Sequence, residues 1–409
     1  MRKVPELRFD GFDREWEENK LSKVAKFSKG KGYSKTDLKN SGNPIYLYGE
    51  MYTNYKSQIN DVETFTDKIK ANSVLSKGNE VLIPSSGETA IDLARASHMN
   101  IPKVLLGGDL NIIEPINGFD PHFLALELSN GTIKQSLAKK AQGKSVVHLY
   151  NTDIKNQKFN YPVIEEQEKI GELFKKIDDL IEIQEGKVSK MEDFKKSMLQ
   201  KMFPKKDELV PEFRFDGFDG EWESTKLSYI SNRVTRRNLE NQSKLPLTIS
   251  SEFGLVNQLD YYNNRVASKD ISNYYLIING EFAYNKSTSL GAPYGAIKRL
   301  DNYENGALST LYIVFKIVEN NLDFIKYYFE TSLWHKEIYK VSQEGARNHG
   351  LLNIATNDFF SMRIKLPPLA EQEKIGQFFK NLDAQIDTEK KLLDSYKDMK
   401  KSLLQKMFV

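Results

Sequence analysis

Apolar residues recur at alternating spacings of four and three along two long, otherwise charged segments of the chain, 166–202 and 371–408. Neither segment contains proline and strong helix formers dominate both, so each is predicted to form one long helix. A stripe this narrow favours pairing with another helix over packing on the helix's own domain, and each segment is the obvious partner of the other. The predicted coiled-coil seam comprises Ile170, Phe174, Ile177, Ile181, Val188, Ile375, Phe379, Leu382, Ile386 and Leu393.

The remaining sequence lacks this periodic spacing of apolar residues and predicts mixed α/β domains. Short β-branched and aromatic runs at 81–83, 275–278 and 311–315 are typical of strands, and Gly, Asn, Pro and Ser residues separate such runs. Residues 321–341 are predicted to be helical. The predicted fold class is therefore α+β, with two mixed α/β domains joined by two long helices that form an antiparallel coiled coil.

The chain is an internal repeat. Aligning residues 4–22 with 210–228 gives 15 identities in 19 positions, and aligning 166–203 with 371–408 gives 19 identities in 38. A period of about 205 residues is a whole domain plus a helix, far longer than a solenoid repeat. The predicted parts are a first domain (1–165), a first helix and linker (166–209), a second domain (210–370) and a second helix (371–409). The two copies agree in sequence at their ends and differ in between. One scaffold is therefore expected to carry two domains with different targets.

Composition narrows the class of protein. The chain has 409 residues, of which 39% are hydrophobic and 28% charged, as in globular proteins. Mean hydropathy is -0.54, and no run approaches the roughly 18 apolar residues of a membrane span. The absence of cysteine excludes disulfides, thiolate nucleophiles and cysteine-based metal sites. A cytoplasmic protein without membrane contact is expected.

The sequence shows no catalytic constellation. Its five histidines lack metal-ligand spacing. Residues 43–46, Asn-Pro-Ile-Tyr, differ by one residue from the Asn-Pro-Pro-Tyr motif of adenine-N6 methyltransferases. No glycine-rich loop for S-adenosylmethionine accompanies them, so a plain turn is the favoured interpretation. Residues 143–145 resemble the end of a P-loop, but Ala138 stands where that motif requires glycine. The chain is predicted to be non-catalytic and to bind no metal.

Basic residues are clustered although the net charge is small. With 59 Lys+Arg against 56 Asp+Glu, the formal charge is +3, so a nucleic-acid surface must be a local patch. Lysines interleave with glycine and tyrosine over residues 23–35, and arginines hold the matching place in the second unit at 233–237. This recurrence favours phosphate contacts made by the domains rather than by the helices.

Both domains end in nearly the same sequence. Residues 162–170 read Pro-Val-Ile-Glu-Glu-Gln-Glu-Lys-Ile, and residues 367–375 read Pro-Pro-Leu-Ala-Glu-Gln-Glu-Lys-Ile. The first copy departs from the second by Val-Ile-Glu in place of Pro-Leu-Ala. With the two divergent interiors, the helix heptads and the Gln-Lys-Met-Phe endings, the whole chain resembles the DNA-specificity (S) subunit of type I restriction-modification systems.

The resemblance implies two target-recognition domains held by an antiparallel coiled coil with pseudo-twofold symmetry. Each domain would read one half of a bipartite site in double-stranded DNA, while the helices set the spacing and dock two methylation subunits. Two restriction/translocase subunits would join for cleavage. S-adenosylmethionine, ATP and Mg would be used by those partner subunits, so no cofactor is expected in this chain.

Base readout requires Arg, Lys, Asn, Gln or Ser side chains that reach the major groove. The predicted DNA-binding residues are Lys29, Lys31, Tyr33, Ser85, Ser86 and Lys144 in the first domain and Arg236, Arg237, Tyr284, Asn285, Lys286 and Arg347 in the second. For each of them a solvated or structural role is the alternative. For the whole chain the alternative is an adaptor whose coiled coil presents two protein-binding modules.

Overall fold

Both predicted long helices are confirmed in the computed structural model, at Ile164–Lys201 and Leu369–Met407. The structure describes residues 4–143, 146–262, 267–289, 291–342 and 352–409. The chain forms two compact units, one of Met1–Gly186 with Lys391–Val409 and one of Lys187–Lys390. Each unit therefore contains one domain and a part of both long helices.

The first unit is built on two sheets. Its strands are β1 (Glu17–Lys20), β2 (Ala25–Lys29), β3 (Asn43–Tyr46), β4 (Gln58–Ile59), β5 (Phe65–Thr66), β6 (Val74–Lys77), β7 (Glu80–Pro84), β8 (Ser86–Gly87), β9 (Ser97–Met99), β10 (Pro102–Leu106), β11 (Leu110–Pro115), β12 (Val147–His148) and β13 (Lys158–Tyr161). Its helices are α1 (Glu50–Thr53), α2 (Ala90–Leu93), α3 (Pro121–Ser129), α4 (Gly131–Lys140), α5 (Asn151–Lys155) and the start of α6 (Ile164–Lys201). The sheets have the orders β2-β11-β7-β9-β4 and β5-β3-β10-β6, and β1 pairs with β13 and β8 with β12.

The second unit has one four-stranded sheet, of order β15-β22-β19-β20, beside two-stranded pairs. Its strands are β14 (Glu223–Lys226), β15 (Ser231–Val234), β16 (Leu247–Ser250), β17 (Gly254–Asn257), β18 (Tyr275–Ile278), β19 (Phe282–Asn285), β20 (Ala296–Arg299), β21 (Asn305–Leu308), β22 (Ile313–Ile317) and β23 (Arg363–Leu366). Its helices are α7 (Leu227–Ile230), α8 (Gln258–Tyr262), α9 (Leu322–Glu330), α10 (His335–Val341), α11 (Thr356–Ser361) and the start of α12 (Leu369–Met407).

Two local predictions are corrected. Residues 43–46 form strand β3 rather than a turn, because Ile45 and Tyr46 are buried and the strand lies between β5 and β10. The helix expected over 321–341 is divided into α9 and α10. Trp334 lies at the break, buried, with its indole N–H donating to the carbonyl of Phe329 at 3.1 Å.

A buried ion pair between two repeated segments fixes each long helix to its own domain. The Arg8 guanidinium donates to both carboxylate oxygens of Glu166, each at 2.7 Å. Arg214 makes the same two contacts with Glu371, at 2.8 and 2.7 Å. Both glutamate side chains are fully buried. A buried carboxylate is tolerated when a bidentate guanidinium neutralises it, so each arginine is required by its glutamate.

The glutamine that follows each glutamate holds the first turn of a domain helix. The side-chain carbonyl of Gln167 accepts the backbone N–H of Asp120 at 3.2 Å, and Gln372 accepts that of Asn321 at 3.1 Å. Asp120 and Asn321 are the N-caps of α3 and α9. Each long helix is therefore hydrogen-bonded to the start of a domain helix.

A helical glycine allows this approach. A Cβ atom on Gly171 would lie 2.9 Å from the carboxylate of Asp120, and one on Gly376 would lie 2.6 Å from the amide oxygen of Asn321. Both distances are shorter than a carbon–oxygen contact permits. The repeated sequence Glu-Gln-x-x-Ile-Gly is thus accounted for, residue by residue, by the junction between helix and domain.

Four aromatic rings complete the junction in each unit. They come from the start of the domain, from its capped helix, from the long helix that follows it and from the end of the other long helix. They are Trp16, Phe123, Phe174 and Phe408 in the first unit and Trp222, Phe324, Phe379 and Phe203 in the second. The predicted seam residues Ile170, Phe174, Ile177, Ile375 and Phe379 lie in these domain cores. The first part of each stripe therefore packs on its own domain as well as on the end of the other helix.

The two long helices pair in opposite directions within each unit. In the first unit, Lys400 pairs with Asp178 and Lys397 with Glu185 at 2.6 Å. In the second unit the pairs are Lys187–Glu389 (2.7 Å), Lys390–Glu192 (2.6 Å) and Lys195–Asp383 (2.8 Å). Residue numbers rise along one helix as they fall along the other. The predicted antiparallel pairing is confirmed. Val188, Leu382 and Ile386 are buried, whereas Ile181 and Leu393 are half-buried.

A pair of buried histidines lies beside the contact of the first domain with α6. His122 lies 3.0 Å from the hydroxyl of Ser57, which donates to Asp178 of α6 at 2.6 Å. His98 lies beside it, with ring centroids 6.3 Å apart, and accepts from the amide of Gln58 at 3.0 Å. Burial lowers the pKa of both histidines to about 4, and repulsion from His98 contributes to the lowering at His122.

We predict that replacing Arg8 by Ala lowers the free energy of unfolding by about 3–5 kcal/mol, because it leaves the Glu166 carboxylate buried and unpaired. Arg14→Ala removes an exposed arginine from the same segment and should change stability by less than about 0.5 kcal/mol. Chemical denaturation measures both variants. Equal effects of the two substitutions would contradict the assignment of Arg8 as the residue that fixes the helix.

We also predict that stability falls on acidification between pH 6.5 and pH 4. A histidine with a pKa of about 6.5 when unfolded and about 4 when folded binds its proton first in the unfolded state. The contribution is complete above pH 6.5 and is lost towards pH 4, by up to about 1.4 kcal/mol per pH unit for each histidine. Thermal denaturation of the wild type and of the double variant His98→Gln/His122→Gln tests this. A double variant with the wild-type pH dependence would contradict it.

Candidate nucleic-acid interface

Three predicted DNA-binding residues of the first domain lie at the ends of two strands at one edge of the five-stranded sheet. Lys29 ends β2, and Ser85 and Ser86 follow β7, which is separated from β2 by β11 alone. Ser86 is paired with His148 of β12, and the carbonyl of Ser85 accepts the N–H of Leu149 at 3.0 Å. Both serine side chains are buried, whereas that of Lys29 is exposed.

The returning segment adds side chains that sequence reasoning missed. The Lys29 ammonium lies 5.5 Å from the ring centroid of Tyr150, which is 44% exposed and stacks on the ring of His148. Asn151 donates to the carbonyl of Ser28 at 2.7 Å. We name Lys29, His148, Tyr150 and Asn151 the strand-end patch. Its signal in the sequence is the run His-Leu-Tyr-Asn at 148–151, which begins five residues after Gly143. Lys144 lies outside the described residues.

Lys31 and Tyr33 follow β2 in different environments. The side chain of Lys31 is exposed, and its backbone N–H donates to Leu106 at 3.1 Å. The ring of Tyr33 is buried against Ile45, and its hydroxyl contacts that of Ser73 at 2.5 Å. Tyr33 therefore holds the loop that presents Lys31, and contact of Lys31 with DNA stays a prediction.

Asn285 and Lys286 occupy the matching strand end of the second domain. Asn285 ends β19 and Lys286 follows it, as Ser85 follows β7, and both are half-buried. The carbonyl of Lys286 accepts the N–H of Leu352 at 3.0 Å, which reproduces the Ser85–Leu149 contact of the first unit. Arg347 lies outside the described residues.

Tyr284, directly before this strand end, is a core residue. It is fully buried, its ring stacks on that of Phe359 with centroids 4.8 Å apart, and its hydroxyl donates to the carbonyl of Tyr294 at 2.9 Å. Burial raises its pKa far above the ordinary value. Tyr284 therefore stays neutral and anchors β19, which presents Asn285 and Lys286.

Arg236 and Arg237 are exposed but held in place. Arg236 donates to the buried carboxylate of Glu281 at 2.8 Å. The guanidinium of Arg237 lies 5.0 Å from the ring of Tyr275 and donates to the carbonyl of Asn273. Because a guanidinium carries five N–H donors, each arginine retains donors for a further acceptor such as a phosphate oxygen.

These surfaces offer hydrogen-bond donors and flat rings rather than catalytic groups. Lysine, arginine and asparagine side chains beside exposed aromatic rings suit contacts with phosphates and base edges. Over the described parts of the chain, no group of three or more His, Asp or Glu side chains is arranged to hold a metal ion. None of the described helices is long and apolar enough to cross a membrane.

Comparison with known proteins identifies the repeated unit. A model of the type I restriction modification DNA specificity domain matches the chain twice, at residues 13–193 and 191–396. The chain belongs to this family. The S subunit of the type I restriction-modification system of M. genitalium has the same fold, with a TM-score of 0.62 at 15% identity over 99% of both chains.

A second solved structure has a similar fold. It comes from work on complex assembly and conformational transition of the type I restriction-modification system. Its TM-score is 0.52 at 13% identity, over 97% of this chain and 98% of the other. Together the comparisons confirm the resemblance found in the sequence and the α+β arrangement of two specificity domains with paired long helices.

Proposed function

We propose that this protein is the sequence-specific DNA-recognition subunit of a type I restriction-modification complex and is itself non-catalytic. The observation that carries the proposal is that the family's specificity domain occurs twice in the chain, each copy including one long helix. One domain reads one half of a bipartite site and the second domain reads the other half. Two different half-sites are expected because the two domains differ in their sheets and strand-end residues while sharing the same junction.

The division of labour follows from this assignment. The two long helices set the distance between half-sites and dock two methylation subunits, which use S-adenosylmethionine to methylate adenine. Two restriction/translocase subunits supply ATP- and Mg-dependent cleavage. The strand-end patch and the Asn285–Lys286 strand end are the proposed contacts with bases, and Arg236 and Arg237 are the proposed contacts with phosphates.

We predict that the two domains can be exchanged independently. Replacing residues 231–361 by the corresponding region of a relative keeps β14, β23 and the Arg214–Glu371 ion pair. It should therefore change one half of the methylated site and leave the other half and the spacer unchanged. The matched exchange of 25–157 should change only the other half. Sequencing of genomic adenine methylation measures both.

The adaptor alternative makes a different prediction for the same experiment. If the domains bind proteins, neither exchange changes the methylated sequence. A change of both half-sites by one exchange would contradict the assignment of one half-site to each domain.

A further inference from the structure

An acidic cleft lies in the first unit, between residues 46–64 of the first domain and the two long helices α6 and α12. Its volume is about 720 Å³. Seven carboxylates and four lysines line it, which leaves an excess of three negative charges. The chain as a whole has a net charge of +3, so this cleft is a local exception to the charge of the molecule.

The lysines of the cleft neutralise only part of its negative charge. Lys397 and Lys400 join α12 to α6 through the ion pairs described above. Lys56 lies between Asp61 and Glu182, with nitrogen–oxygen distances of 2.8 and 3.4 Å. Three further carboxylates of the lining form no ion pair with any described residue: Glu50, Glu63 and Asp179.

Tyr46 and Glu50 bring a hydroxyl and a carboxylate to the wall of the cleft. Tyr46 is 3% exposed, and its hydroxyl has no hydrogen-bond partner within the described parts of the chain. One carboxylate oxygen of Glu50 accepts the N–H of Leu47 at 3.1 Å and the hydroxyl of Thr64 at 2.9 Å. Burial raises the pKa of both groups, and the nearby charge of Glu50 contributes to the rise at Tyr46. A positively charged N–H donor would satisfy both groups, since each can accept a hydrogen bond.

The spread of the carboxylates favours a ligand with several separated positive charges. Asp178, Glu182 and Glu185 are spaced four and three residues apart, so they follow one face of α6 over about 10 Å. Over the described residues, no three such side chains are gathered closely enough to hold a metal ion. Tyr55 and Ile181 add apolar surface between the charged groups. A linear polyamine has this chemistry, because methylene chains separate its ammonium groups.

We infer that this cleft is a binding site for a linear polyamine. One ammonium group donates to the Tyr46 hydroxyl and the Glu50 carboxylate, and the others face the carboxylates of α6. Because the lining comes from the domain and from both long helices, the bound polyamine stabilises the contact between them. The inference goes beyond DNA recognition and does not depend on it.

Calorimetric titration of the full chain with spermidine, without DNA and at constant ionic strength, tests the site. The wild type should bind one spermidine. Tyr46→Phe and Glu50→Gln should each bind it about tenfold more weakly or worse, as expected for the loss of a charge-assisted hydrogen bond. Asp193→Asn removes an exposed carboxylate of α6 outside the cleft and should bind spermidine as the wild type does.

Thermal denaturation distinguishes a ligand contact from a structural role of Tyr46. Tyr46→Phe removes a hydroxyl that has no partner among the described residues, so without spermidine the variant should be at least as stable as the wild type. Spermidine should then raise the melting temperature of the wild type more than that of the variant.

Four outcomes would overturn the inference and leave the proposed function standing. Equal spermidine affinity of the wild type and all variants would show that spermidine binds as a diffuse counterion. Displacement of spermidine by an equal concentration of Mg²⁺ would show that the cleft selects charge alone. A Tyr46→Phe variant less stable than the wild type without spermidine would make the hydroxyl structural. Tighter binding of a lysine-rich peptide, weakened by the same substitutions, would assign the cleft to a protein ligand.

Discussion

The bidentate ion pair between the start of each domain and the start of its long helix is the contact on which the structure depends. Arg8 and Arg214 are the partners of carboxylates that are fully out of solvent. Around each pair lie a glutamine that holds the N-cap of a domain helix and a glycine that lets the helices touch. A long exposed helix has little stability of its own, so this junction and the antiparallel pairing hold it to the domain.

The repeat divides the chain by purpose. Residues that are identical in the two copies form the junctions and the helix ends, whereas the sheets and strand ends differ. The proposed function, in which two different DNA half-sites are presented to the same catalytic partner, requires this division. The scaffold must place both domains alike, and only the strand ends must change with the target. One contact between domain and long helix also differs between the units. In the first unit Ser57, beside the histidines, donates to Asp178 of α6. In the second unit Tyr327 donates to Asp383 of α12 at 2.8 Å.

The sequence predicted the helices and the repeat well. A helix is visible in the spacing of nearby apolar residues, and a repeat is visible when the chain is aligned with itself. Both helices begin two residues before the predicted positions, at Ile164 and Leu369. The partners of the stripe were less predictable. The alternating spacing of four and three predicts that Phe174 and Phe379 are buried, but it does not identify the residues that cover them. In the structure both pack on their own domains. Tyr33 and Tyr284, predicted to bind DNA, are buried, because the sequence does not show which aromatic residues face the core. The approach of Lys29 to Tyr150 depends on a fold contact that no local pattern encodes.

We propose that the paired helices set the distance between the two DNA-reading domains. Matched insertions of four helical residues after Gly186 and after Lys390 test it, since Lys187 and Glu389 pair beside those points. Four residues lengthen a helix by about 6 Å and nearly complete its turn, which keeps the apolar stripe facing its partner. DNA rises about 3.4 Å per base pair. Sequencing of adenine methylation should show both half-sites unchanged and the spacer longer by one or two base pairs. An active complex with an unchanged spacer would contradict the account.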